Sequence, residues 1–210
     1  MYIKHRLHGW IVASTTVLVV MSRAALADTA SHDLQIYAGE IFGDRLTSIP
    51  LTGRYPVLND NATFGARYTY GLSRRFAVQL EAGYSPGRAS RLAVGDSSLD
   101  LTTADLDMLF NVAPTLTEGG RRVVLYTELG AGYAWMNLHH PLLGSTGSAP
   151  VLLTGRNDYT ANVGMGAEFY LTANFFVDFD VRYRYISRLV NRYNHELNTA
   201  ETTLGIGYAF

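Results

Sequence analysis

The residues with chemistry to offer are charged ones that recur at every second position. Asp178, Asp180, Arg182 and Arg184 alternate with Val177, Phe179, Val181, Tyr183 and Tyr185, and Arg67, Glu81, Glu128 and Glu168 stand in similar alternating stretches. Charges two apart on an extended chain project to one side. Arg67, Arg182 and Arg184 can therefore be matched by Glu81, Glu128, Glu168, Asp178 or Asp180. Facing rows of acids and arginines have two readings, a narrow ion path or proton relay, and a structural polar core whose unlike charges offset the cost of leaving water. The structural core is the expectation.

Other chemistry is thin. A serine nucleophile needs an oriented base beside it, and Ser145 and Ser187 lie near loop histidines, a pairing too common to carry catalysis. His139 and His140 offer two imidazoles, but neighbours on an extended chain point to opposite sides and no carboxylate lies close in sequence, so a solvated loop is expected there rather than a metal site. No catalytic, cofactor or metal site is expected. The absence of cysteine excludes disulfides and thiolate chemistry.

The elements that carry these charges begin after a leader. Residues 1–27 open with Lys4, His5 and Arg6, continue through the apolar run from Ile11 to Met21, and end in Ala25-Leu26-Ala27. That order is a signal peptide with a small-x-small cleavage site. Its roughly 11 apolar-leaning residues fall short of the ~20 a spanning helix needs. Beyond it the chain holds 14 Arg and no Lys against 18 Asp and Glu, a balance near neutral that gives no footprint for nucleic acid.

From residue 28 the pattern is period two, the mark of strands with one apolar face. The closing stretch sets Thr202, Leu204, Ile206, Tyr208 and Phe210 against Glu201, Thr203, Gly205, Gly207 and Ala209. Seven earlier stretches repeat it: about 34–39, 64–70, 75–84, 104–112, 123–137, 159–170 and 177–185. In the first, Glu40 falls among the apolar positions, so a bulge or the end of the membrane zone is expected near Gly39. Loops over 43–60, 85–98, 138–156 and 187–199 alternate with links as short as Gly71-Leu72-Ser73-Arg74 and Leu171-Thr172-Ala173-Asn174. Eight strands with long and short connections in turn predict an all-β fold, an eight-stranded antiparallel transmembrane β-barrel in one domain, residues 28–210.

The two faces say which solvent touches which. Charge avoids the apolar face on most of these stretches, as it must if lipid lies there, because Arg at the bilayer centre costs about 2–4 kcal/mol. The charges then point into a lumen just wide enough for side chains to fill. The glycines of Gly130-Ala131-Gly132 and Gly164-Met165-Gly166 leave space in it for Arg and Tyr. Aromatics sort to both ends of the strands, Tyr68, Tyr70, Phe76, Phe110, Phe169, Tyr208 and Phe210 at one, Tyr84, Tyr133, Trp135, Tyr159, Tyr183 and Tyr185 at the other. Two interfacial girdles follow.

Phe64-Gly65-Ala66-Arg67-Tyr68, Leu129-Gly130-Ala131-Gly132-Tyr133, Asn162-Val163-Gly164-Met165-Gly166, Val181-Arg182-Tyr183-Arg184-Tyr185 and the terminal Phe210 together resemble the small outer-membrane β-barrel family of opacity-type surface antigens and OmpA/OmpW-like barrels. The resemblance implies a bacterial outer-membrane location, contact with outer-membrane lipids and lipopolysaccharide, and a monomer whose Tyr208 and Phe210 form the signal read by the barrel-assembly machinery. It implies a structural or surface-interaction role through four extracellular loops that contact a ligand, with a small conduit for hydrophobic molecules as the OmpW-like alternative. Lipid A deacylases, an enzymatic class of small barrels, place His and Ser two residues apart on a strand. None of His32, His139, His140 and His195 is followed by Ser at that spacing, so an enzyme is not expected. Sequencing of the protein isolated from membranes should find Asp28 as the first residue; a chain still beginning at Met1 would make the leader an anchor.

Overall fold

Alternation becomes pairing in the computed structural model, which describes residues 31–46, 55–90, 97–112, 116–118, 121–138, 142–146, 149–153, 155–188 and 196–210. The expected leader and its cleavage site fall outside them, as do His139, His140 and His195. The strands run β1 (His32–Phe42), β2 (Val57–Leu58), β3 (Asn61–Gly71), β4 (Phe76–Ser90), β5 (Ser97–Asn111), β6 (Leu116–Glu118), β7 (Arg121–Leu138), β8 (Leu142–Thr146), β9 (Ala149–Leu153), β10 (Asn157–Tyr170), β11 (Phe175–Ile186) and β12 (Leu197–Ala209).

Eight of them close a sheet. Neighbours run antiparallel in the order β1-β3-β4-β5-β7-β10-β11-β12, and β12 pairs back with β1 from Asp33↔Ala209 to Phe42↔Ala200. The last pair seals the circle at its lower end, where His32 and Phe210 exchange backbone N–H···O bonds of 3.2 and 2.8 Å. Closure matters because hydrocarbon offers no partner to a bare backbone N–H or C=O.

The outward positions are hydrocarbon and they are bare. Ile36 is 67% exposed, Leu129 68% and Ile206 61%, and Leu80, Leu106, Met165, Phe179 and Leu204 join them around the waist. A monomer in water rarely leaves so continuous an apolar band uncovered. Rings border it at both ends, Phe76 on Phe110 (5.3 Å between centroids) and Phe175 on Tyr208 (4.9 Å) below, Tyr133 on Trp135 (5.0 Å) above.

The strands are longer than the periodicity alone marks out. A tilted strand crosses a bilayer in ~9–11 residues, whereas β7 has 18 and β4 and β5 have 15 each. Much of 85–98, read from sequence as loop, is therefore strand. The base of the 43–60 connection is ordered too: Leu46 N–H donates to Pro56 O (2.9 Å), Leu58 N–H to Asp44 O (2.8 Å), and β2 pairs with the upper end of β4 at Val57↔Ser90. The link at 113–121 contains β6, paired with the start of β7, and 138–156 contains the β8–β9 hairpin. Glu40 sits on no bulge. The register runs unbroken through Glu40↔Thr202 and Glu40↔Ala62, and its exposed side chain points outward on the upper part of β1, beyond the apolar band.

Lipid contact gives position a price that water would not. Leu129→Arg, midway along the outward face of β7, should destabilise the barrel by about 2–4 kcal/mol when refolded into lipid vesicles, while Leu171→Arg in the lower turn should cost only about 0–1 kcal/mol. Equal costs, measured as the shift in urea midpoint, would contradict a bilayer around the waist.

Candidate functional site

The lumen is where this chain concentrates its buried chemistry, and its side chains stack in three layers. The middle layer is ionic. Arg67 on β3 faces Glu81 on β4 in register, and its Nε donates to Glu81 Oε2 at 2.6 Å. The same guanidinium reaches across the barrel, with Nη1 donating to Asp178 Oδ2 and Nη2 to Asp180 Oδ1 and Thr203 Oγ1, each at 3.2 Å. Tyr37 lies under it, 4.3 Å from guanidinium carbon to ring centroid.

Arg182 on β11 forks onto Glu128 on β7, Nε to Oε1 at 2.6 Å and Nη2 to Oε2 at 3.0 Å, and its Nη1 stands 2.8 Å from Glu81 Oε2. That two-pronged geometry is the strong form of a charged hydrogen bond. Between them in register is Gly164, where an added Cβ would stand 3.1 Å from Glu128 Cδ. Arg184, two residues up β11, donates to Asp105 on β5, to Glu201 on β12 at 3.2 Å and to Glu81 Oε1 at 3.5 Å. Tyr37 OH completes the surroundings of Glu81, donating to Oε1 at 2.9 Å.

Of the eight charged residues read from sequence, seven meet in this layer. Glu168 does not: it lies opposite Asp178 in register, half-buried and lower in the barrel, and forms none of the ion pairs among the described residues. Periodicity sets Asp105, Asp107 and Glu201 on the polar face too, but the pairing expected from sequence did not include them. All three are buried, at 3%, 1% and 2% exposure. The signal was present, since Asp105 and Asp107 alternate with Leu106 and Met108, but Leu99, Leu101 and Leu109 share their phase and blur the polar face of β5.

Apolar layers close the lumen above and below. Ile41, Leu46, Leu58, Leu99, Leu101, Met136, Ile186 and Leu197 pack together at the outer end, none more than 5% exposed. Below, Phe176 and Tyr170 pack tilted against each other at 5.2 Å between centroids beside Val124, and the Arg122 guanidinium covers the Tyr170 ring at 3.6 Å. The lumen glycines leave the room these rings need: Cβ atoms added at Gly166 and Gly207 would collide with Tyr126 and Phe176.

Of the residues considered for catalysis, the side chains of Ser187 and His32 are described, and they lie far apart. Ser187 is buried and its backbone N–H donates to Tyr159 O at 3.2 Å; His32 is at the opposite end of the barrel, 2.6 Å from Tyr68 OH and stacked on Phe210. Among the described residues no three His, Cys, Asp or Glu side chains are arranged to hold a metal.

A family profile described as "Outer membrane protein beta-barrel domain" matches residues 13–210. No curated protein matches the chain. Among solved structures the fold is similar to Neisserial surface protein A (TM-score 0.58, 14% identity, 86% of this chain and 99% of that one). It is similar also to OprG from Pseudomonas aeruginosa (0.55, 14%, 85% and 95%) and to the outer membrane protein AlkL in lipid bilayers (0.57, 16%, 90% and 94%). A closed antiparallel barrel with hydrocarbon outside and charge within is the architecture of a membrane-spanning β-barrel. This chain belongs to the outer membrane protein beta-barrel domain family, and its place is the bacterial outer membrane.

Glu81 touches all three buried arginines, so neutralising it should cost more than any other single change in the layer. Glu81→Gln should lower stability by about 3–5 kcal/mol, the usual consequence of stripping one partner from a buried pair. Glu168→Gln should cost a fraction of that. Urea midpoints of the two refolded variants compare them.

Proposed function

We propose that this protein is a non-enzymatic barrel of the outer membrane whose four extracellular loops contact molecules or surfaces outside the cell while its body supports the envelope. The observation that carries this reading is the filled lumen: an ion-paired layer between two apolar ones leaves the barrel as a rigid pedestal rather than a passage. The length of β4, β5 and β7 supports it as well, because strands that outrun the bilayer lift the loop bases clear of the headgroups.

The same reading takes the chain as a monomer delivered by a signal peptide cleaved after Ala27. Its outer belt would contact lipid and lipopolysaccharide. Tyr208 and Phe210, outward and half-exposed on the strand that closes the sheet, would be read by the barrel-assembly machinery. A second reading, a conduit for hydrophobic molecules, draws on the apolar layer at the outer end, whose side chains are of the right chemistry to receive such a molecule. It requires that layer to part.

Conductance and loop excision separate the two. The purified barrel in a planar bilayer should give no stable channel, and removing outer loops should abolish surface binding while the barrel still assembles; lipid A from cells that express it should keep its acyl chains. A steady unitary conductance, or uptake of a hydrophobic solute that survives loop removal, would shift the assignment to the conduit.

A further inference from the structure

The ionic layer is not balanced. Three guanidinium groups, Arg67, Arg182 and Arg184, face seven carboxylates, Glu81, Asp105, Asp107, Glu128, Asp178, Asp180 and Glu201, all at 4% exposure or less. Ionised carboxylates buried this deeply need a positive partner within reach, because an uncompensated buried charge costs several kcal/mol at least. Four of the seven have no arginine of their own to answer them. The excess is met either by protons on some of these carboxyls or by a cation that is not a side chain of this layer, and retention of the ion tells the two apart.

The hydrogen bonds point to where it sits. The buried side-chain atoms that lack a partner include Gln79 Oε1, Asp107 Oδ2 and Asn162 Oδ1, oxygen atoms of residues 3%, 1% and 3% exposed. These three residues are neighbours. Gln79 is the register partner of Asp107, and Asp107 and Asn162 flank Gly130 across the next two strand pairs. Asn162 Nδ2 donates to Asp107 Oδ1 at 2.9 Å and Gln79 Nε2 to Thr69 Oγ1 at 3.0 Å, which leaves the amide oxygens of both as acceptors. The nearest cation to Asp107 Oδ2, Arg182 Nη1, is 4.0 Å away, too far for a hydrogen bond. Gly130 keeps the wall open: a Cβ there would stand 2.7 Å from Asp107 Cγ and 2.9 Å from Asn162 Nδ2.

We propose that the wall formed by Gln79, Asp107 and Asn162 binds a small monovalent cation of the size of sodium, which neutralises part of the acid excess of the lumen. One carboxylate and two amide oxygens make an all-oxygen set suited to a hard cation. A single carboxylate is a poor set for calcium or magnesium, which take six or more oxygen ligands. Water alone satisfies acceptors but supplies no charge. With apolar layers above and below, the ion is taken up as the barrel closes and exchanges slowly afterwards.

The test is retention. The full mature barrel is refolded into detergent in radiolabelled sodium chloride, then passed through a desalting column into N-methylglucamine chloride of equal ionic strength, whose cation is too large for the site. Labelled sodium should travel with the wild-type barrel, and Asp107→Asn should lower the retained amount at least about ten-fold, a loss worth ~1.4 kcal/mol of affinity. Gln79→Leu keeps every charge and serves if Asp107→Asn does not fold; it should lower retention in the same direction. Sodium retained equally by wild type and a folded variant, or by neither, overturns the proposal. A thermal midpoint that follows pH but is the same for barrels refolded in either salt would assign the neutralisation to protons and overturn it as well.

Discussion

A sheet immersed in hydrocarbon can have no free edge, and this constraint governs the rest of the molecule. It forces β12 back onto β1, and a circle closed by eight strands has an interior only wide enough for side chains. Once the outside is given to lipid, every polar side chain in the spanning zone must turn inward, and the interior must then satisfy it. Arg67, Arg182 and Arg184 crowd into one layer because the narrow lumen has nowhere else to put them. Glu81 on β4, touching all three and Tyr37, is the point at which β1, β3, β4 and β11 are tied together.

Packing within that layer is possible because bulk is removed opposite bulk. Gly164 stands between Glu128 and Arg182, Gly65 and Gly83 beneath Tyr37, and Gly166 against Tyr126. The glycine-rich outlook of the strands is therefore the complement of their arginines and tyrosines. Arginine suits this role better than lysine, since its planar fork can serve Glu81, Asp178, Asp180 and Thr203 from one residue.

The barrel, its eight strands and the direction of each face were legible in the sequence because, through the membrane zone, apolar and polar residues alternate in constant phase. What was not legible is the upper third. There the phase inverts. On β5, Leu99 and Leu101 point inward, yet four residues further along the same face carries Asp105 and the outward face carries Ala104, Leu106 and Met108. Ile41 on β1, Met136 on β7, Ile186 on β11 and Leu197 on β12 make the same switch. A reading that follows one phase stops at the inversion, and so it gives a loop over 85–98 and a bulge or the end of the membrane zone near Gly39, of which the structure bears out the second.

The inversion divides each long strand between two solvents. Below it, the barrel is oily outside and charged inside; above it, the same strands follow the rule of a protein in water, with hydrocarbon buried and polar groups displayed. The upper collar is therefore held by the hydrophobic effect, a force the membrane zone cannot use between its strands and lipid. Its geometry is set by its own packing and not by how deep the belt sits. A thicker or thinner bilayer can slide along the waist while the bases of the upper connections keep their spacing relative to one another.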